Sequence, residues 1–129
     1  MTEAALASWL RAKRRIQTAQ AVLAADPDAA ASAAYYAAFY ALTALFELDE
    51  KIYRRHSAIE AVVHRDLVKT GRWPTELGQA FSWLAELRMM GDYGGQEHVS
   101  SQQAQKAIQD AERILLAVAK MSPLFEIEE

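Results

Sequence analysis

Arg88, Asp92 and Tyr93 fall together in the segment Leu87-Arg88-Met89-Met90-Gly91-Asp92-Tyr93-Gly94-Gly95. Arginine presents five donors in a rigid planar fork, a shape suited to phosphate oxygens. An aspartate four residues further on shares a helical face with it and can orient that fork. Tyr93 adds a ring for stacking or a hydroxyl for hydrogen bonding. The chemistry open to this trio is the holding of a phosphate or, given a base and an acid, its cleavage. Read structurally, the same pair only pins a helix end, contributing roughly 0.3–0.5 kcal/mol.

Other reactive side chains point elsewhere. His56 and His64 are eight residues apart, about 12 Å along a helix at 1.5 Å per residue, too far to share a metal ion. His98 lies in a different segment, and no HExxH pattern occurs, so no metal site and no cofactor are expected. With no cysteine in the chain, disulfides, thiolate metal sites and cysteine nucleophiles are excluded. No glycine-rich phosphate loop and no GxSxG elbow is present. Basic residues cluster twice: Arg11, Lys13, Arg14 and Arg15 near the start, then Lys51, Arg54, Arg55, Arg65, Lys69 and Arg72 in the middle. Such clusters raise local potential toward phosphates even on a chain of net charge −3. A solvated helix face is the plainer alternative.

These residues need helices to carry them. The 129 residues are 52% hydrophobic and 24% charged, with 5 glycines and 3 prolines, which fits one helical domain with a substantial core. Helical spacing predicts a first helix from Thr2, as N-cap, to Ala25. Asp28 is expected to cap a second helix running to Leu48. Ser57 and Glu60 read as a capping box opening a third helix to Thr70, with Gly71 just beyond its end. A fourth helix spans Thr75 to Met90, and Gly91 to Gly95 reads as a mobile loop. Ser100 and Gln103 form a second capping-box pattern, opening a fifth helix to Met121. The acidic tail, Glu126 to Glu129, is expected to be loose. The fold class is therefore all-α, an antiparallel up-and-down bundle of about five helices in one domain, 1–129, with its core at about 5–121. Ala29 to Phe46 carries no charge over 18 residues. Its alanine and tyrosine content makes it a buried central helix rather than a membrane span.

Three segments resemble a known family. Ser32-Ala33-Ala34-Tyr35-Tyr36-Ala37-Ala38-Phe39-Tyr40-Ala41 is similar to the S-R-A-Y-Y-A-x-F-Y-A signature of HEPN domains. Arg55-His56-Ser57 resembles that family's K/R-x-H-S element. Leu87-Arg88 with Asp92-Tyr93 resembles its L-R-x-x-A-D-Y ending of helix four. The resemblance implies a homodimeric helical bundle of bacteria or archaea, and the lack of cysteine fits a cytoplasmic protein. It also implies pairing with a small nucleotidyltransferase in a toxin–antitoxin system. Many members are metal-independent RNases using an arginine and a histidine separated by four to six residues, and Arg88 matches that arginine. The histidine is missing: Tyr93, Gly94 and Gly95 occupy the positions it would take, and His98 comes too late. Ala33 also stands where the signature has arginine.

The expectation is thus a binding module, with Arg88, Arg55 and His56 around a nucleotide or RNA phosphate. The alternatives are an RNase using Arg88, Asp92 and Tyr93, or a purely structural bundle. As a base, Tyr93 starts from a pKa near 10 and Asp92 from about 3.9, both far from neutrality.

Overall fold

The computed structural model describes residues 2–127 and is all-α, an up-and-down bundle of five helices. They are α1 (Thr2–Val22), α2 (Pro27–Leu48), α3 (His56–Val62), α4 (Thr75–Tyr93) and α5 (Ser101–Met121). A π-helical stretch, Val63–Val68, continues α3, and the Lys69 amide closes it on the His64 carbonyl. Among the described residues there is no strand.

α2 is the axis of the molecule, touching α1, α3, α4 and α5. Its eight buried alanines carry little volume, so neighbouring backbones approach closely. Tyr35, Phe39, Leu42 and Phe46 fill what the alanines leave. By length and composition this helix could cross a membrane, yet 72% of its most apolar stretch is buried inside the bundle. Only Ser32, Tyr36, Tyr40, Thr43, Glu47 and Leu48 stay half-exposed after Ala30. The first five recur at helical spacing and mark the one stripe of α2 that its neighbours leave open.

Several helix ends differ from expectation. Met1, the position before the first helical residue, lies outside the described residues, and Thr2 is itself helical rather than a cap. α1 stops at Val22, where the Asp26 amide bonds the Val22 carbonyl. The cap of α2 is Asp26, not Asp28: its side chain accepts from the Ala29 amide. Pro27 decides this, because proline belongs at the first helical position and puts the cap one residue earlier. Asp28 instead accepts from the Val99 amide and from His98, at 2.7 Å each, tying α2 to the loop before α5.

The box predicted for α3 does not form. The helix starts at His56, with the Arg55 carbonyl accepting from the Ala58 and Ile59 amides, so Ser57 is already inside it. Gly71 has a φ of 79° and follows the π-helical end, as expected of a terminating glycine. α4 runs on through Gly91 to Tyr93, three residues past the predicted end. Gly91 is where α4 crosses the start of α2; a Cβ there would sit 2.9 Å from the Asp28 carbonyl oxygen. The Ser100–Gln103 box is formed in both directions, at 2.9 and 3.0 Å. The start of the tail is not loose: Phe125 is buried against Trp9, and the Trp9 indole N–H donates to the Glu126 carbonyl at 3.0 Å. Glu128 and Glu129 lie outside the described residues.

Candidate functional site

Arg88 leaves the second-last turn of α4 and lies against α2. Its side chain is 16% exposed, and burying a guanidinium demands partners. They come from both helices. Nη2 donates to the Tyr36 hydroxyl at 2.9 Å. Nε lies 3.1 Å from Asp92 Oδ2, an ion pair whose angle is too poor for a hydrogen bond, so the buried Nε has no acceptor. Ser32 donates to the same Asp92 oxygen at 3.3 Å, joining the start of α2 to the end of α4. The rings of Tyr35, Tyr36 and Tyr93 lie 5.7, 5.4 and 5.6 Å from the guanidinium carbon, within cation–π range. Among the described residues Nη1 meets only the Met89 sulfur, at 3.5 Å, a weak acceptor.

On its open side Arg88 borders a groove of about 340 Å³ between α2, α3 and α4. His56, at the first position of α3, borders it too. Its ring stacks on Phe39 with centroids 4.5 Å apart, and its Nδ1 lies 2.9 Å from the Tyr35 hydroxyl. Burial first, and the Arg88 charge second, hold His56 below the usual histidine range. It is therefore neutral at pH 7. Burial likewise pushes the Tyr35 hydroxyl well above its usual value, so that group keeps its proton. His56 Nδ1 is its partner among the described residues. A buried O–H left without an acceptor costs about 1–3 kcal/mol. Nδ1 satisfies that O–H as an acceptor in the tautomer that carries the imidazole proton on Nε2.

The predicted site residues are thus partly gathered. Arg88 and His56 face one groove, and Asp92 grips Arg88 from the helix end. Tyr93 is 68% exposed and offers its ring to Arg88 from outside the groove. Arg55 is exposed at the cap of α3 and does not border the groove. Asp92 and Tyr93 do not border it either; beside Arg88 and His56 it is lined by Glu60, Ala61 and His64 of the α3 segment with Tyr35. Lys69 and Arg65 of that segment stay outside it. Tyr35 was absent from the predicted site. The signal was available: a buried tyrosine in an alanine helix needs a partner for its hydroxyl.

The basic cluster of α1 joins from the other flank. Arg15 lies over the rings of Tyr36 and Tyr40, and Arg11 over Tyr40, at 5.3–5.7 Å. Tyr36 therefore carries arginines from two helices, and guanidinium groups of α1 and α4 flank the two tyrosines of the open stripe of α2. Among the described residues no group of three or more histidine and acidic side chains could hold a metal.

An all-helical bundle is the fold of HEPN domains. The HEPN domain model matches residues 5–121. A UPF0332 protein of Thermotoga maritima is 34% identical over 87 residues, covering 67% of this chain and 66% of that protein, just under two thirds of it. A second UPF0332 protein, from Gloeobacter violaceus, is 32% identical over 108 residues, covering 81% of this chain and 85% of that one. The chain belongs to the HEPN domain family.

Proposed function

We propose that this protein is a HEPN binding module that grips a phosphate of RNA or of a nucleotide at Arg88. In this reading it acts as a cytoplasmic homodimer and as one half of a toxin–antitoxin-type pair with a nucleotidyltransferase-type protein. The observation that carries the phosphate site is the state of Arg88: its Nε and Nη2 sides are engaged by Asp92 and Tyr36, while Nη1 is left to a weak sulfur acceptor at a groove. A guanidinium fixed in this way loses little freedom when it meets an oxyanion. The arginine–tyrosine stripe supports the preference for nucleic acid, since rings stack bases and cations track the backbone. The same half-exposed stripe supports the dimer, as the part of the central helix still open to a second copy.

Binding of a single-stranded RNA oligonucleotide tests the phosphate reading. Wild type should bind, the affinity should fall as salt rises, and Arg88→Ala should weaken it at least tenfold. Unchanged affinity in that variant would sink the Arg88 site. Co-purification with the product of the adjacent reading frame tests the pairing.

A second reading has one specific observation in its favour. His56 brings to the groove of Arg88 the imidazole that the spacing after Arg88 lacks. A metal-independent ribonuclease would then be possible without a histidine at Tyr93 or Gly94. Cleavage of RNA in excess EDTA by wild type, abolished in Arg88→Ala, would put the enzyme ahead of the binding module.

A further inference from the structure

We propose that His56 and Arg88 form a two-point site for the phosphate of a mononucleotide unit, with Tyr35 as the residue that sets His56 to donate. The inference rests on the phosphate reading of Arg88 and goes further by naming the second donor, its tautomer and the ligand class.

The geometry begins at Tyr35. Its ring is buried in the core between His56 and Phe81, with near-parallel rings 5.6 and 5.7 Å away. Its hydroxyl reaches His56 Nδ1. The other imidazole nitrogen, Nε2, bonds no described residue, and it is not among the buried atoms left without a partner. It is therefore open to water in the groove. With the Tyr35 proton on the Nδ1 side, Nε2 carries the imidazole hydrogen and is a donor, not a base. Arg88 lines the same groove, and its Nη1 is held by nothing stronger than the thioether of Met89, which lines it too. Two uncommitted donors, one of them permanently charged, beside one cavity describe an oxyanion site.

The remaining lining narrows the ligand. Ala61, Ala85 and Met89 give the groove an apolar wall on which a base can lie. Glu60 also lines it. A carboxylate there repels a bare polyanion but accepts from a ribose hydroxyl or an exocyclic amine. Phosphate donors, an apolar wall and one acceptor suit a nucleotide better than inorganic phosphate.

The probe is 5′-AMP, with adenosine as the phosphate-free control, read by calorimetry and by ¹⁵N–¹H correlation spectra of the histidine ring. In the free wild type at pH 7.5, His56 should show the Nε2–H tautomer, and 5′-AMP should shift Nε2 while adenosine should not. His56→Leu should weaken 5′-AMP binding about tenfold or more, the scale of a lost bond to a charged group. His56→Gln, which places an amide donor near the Nε2 position, should stay within about threefold of wild type. Tyr35→Phe keeps Arg88 and the His56 ring, yet it should produce a mixture of His56 tautomers and a several-fold loss. A purely structural role for Tyr35 would leave the tautomer unchanged in the folded variant. The spectrum of the wild type decides the tautomer even if Tyr35→Phe fails to fold. An Nδ1–H tautomer in the free protein overturns the proposal. So does 5′-AMP binding that is unaffected in His56→Leu but lost in Arg88→Ala; that result leaves Arg88 as a phosphate site. No binding of 5′-AMP, together with Arg88-dependent RNA binding, rejects the mononucleotide class alone. Indifference of both ligands to Arg88→Ala removes the underlying site.

Discussion

Arg88 and His56 illustrate what one residue can reveal and what it hides. Arg88 stands out in the sequence because arginine, aspartate and tyrosine fall at one helix end, and the Asp92 pair follows from i,i+4 spacing. That Tyr36 would take Nη2 and that His56 would share the groove is tertiary information, invisible to any local pattern. Asp92→Asn should keep the side-chain shape while removing the charge opposite Nε. Thermal unfolding should then show only a small loss, about 0.5 kcal/mol, because the pair is partly exposed. RNA affinity should fall more than stability does, because the fork loses its brace. A titration supplies a second prediction. The folded His56 binds its proton less readily than the unfolded chain does, since burial and Arg88 oppose the charge. Its contribution to stability is therefore full above pH 6.5, the ordinary histidine value, and is lost as pH falls through the lower folded value. Urea midpoints measured from pH 7.5 down to pH 5 should decline in wild type, with a shallower decline in His56→Gln. Asp28 loses stability only in a lower window, below its own ordinary value of 3.8, because the Val99 amide and His98 stabilise its charge. A wild-type profile that is flat between pH 7.5 and 5 would count against the buried, neutral imidazole.

At the scale of elements, legibility follows how local the determining interaction is. α5 is written plainly: a two-way capping box opens it, a strong apolar stripe faces α2, and Pro123 follows its end. Ser100→Ala removes the side chain that accepts from the Gln103 amide and should cost about 1 kcal/mol, measured by chemical denaturation, with the fold retained. A loss below 0.2 kcal/mol would mean the box is not holding the helix start. α3 is harder to read. Its pattern of serine and glutamate is as good as that of α5, but the chain enters helix two residues early, with Arg55 rather than Ser57 at the cap. His56 stacks on Phe39 and Tyr35, and that packing outweighs a solvent-exposed cap. The π-helical continuation was likewise illegible, since an extra residue per turn leaves no compositional mark. Gly91 misled for the opposite reason: read as the first residue of a loop, it is a helical glycine placed where α2 passes close. Gly91→Val should destabilise by about 1–3 kcal/mol, because the obstacle is backbone carbonyl rather than a yielding side chain.

For the whole molecule, the arrangement of α2 turns on one open stripe. Sedimentation equilibrium at micromolar concentration should give about twice the 14.4 kDa subunit mass, and Tyr40→Glu, placing a carboxylate on that stripe, should favour the monomer. A clean monomer over this range for the wild type would separate the phosphate site from any need for a second copy. The fold class and the central place of α2 were readable because an uncharged, alanine-rich stretch has only one comfortable position in a bundle. The closure of the molecule was not. The Trp9 indole meets the Glu126 carbonyl across 117 positions of sequence, and no pattern in an acidic tail announces that it will lie against the first helix. This latch orders events in time. During synthesis α1 is finished early, but the ring of Trp9 lacks its Phe125 and Glu126 contacts until nearly all the described residues have been made. The first helix of every new copy thus waits, with an aromatic surface open to chaperones or to other chains, for almost the last residue described. The emission of Trp9, followed as the chain lengthens in a variant with Trp73→Phe and Trp83→Phe, would act as a clock for the moment the bundle closes.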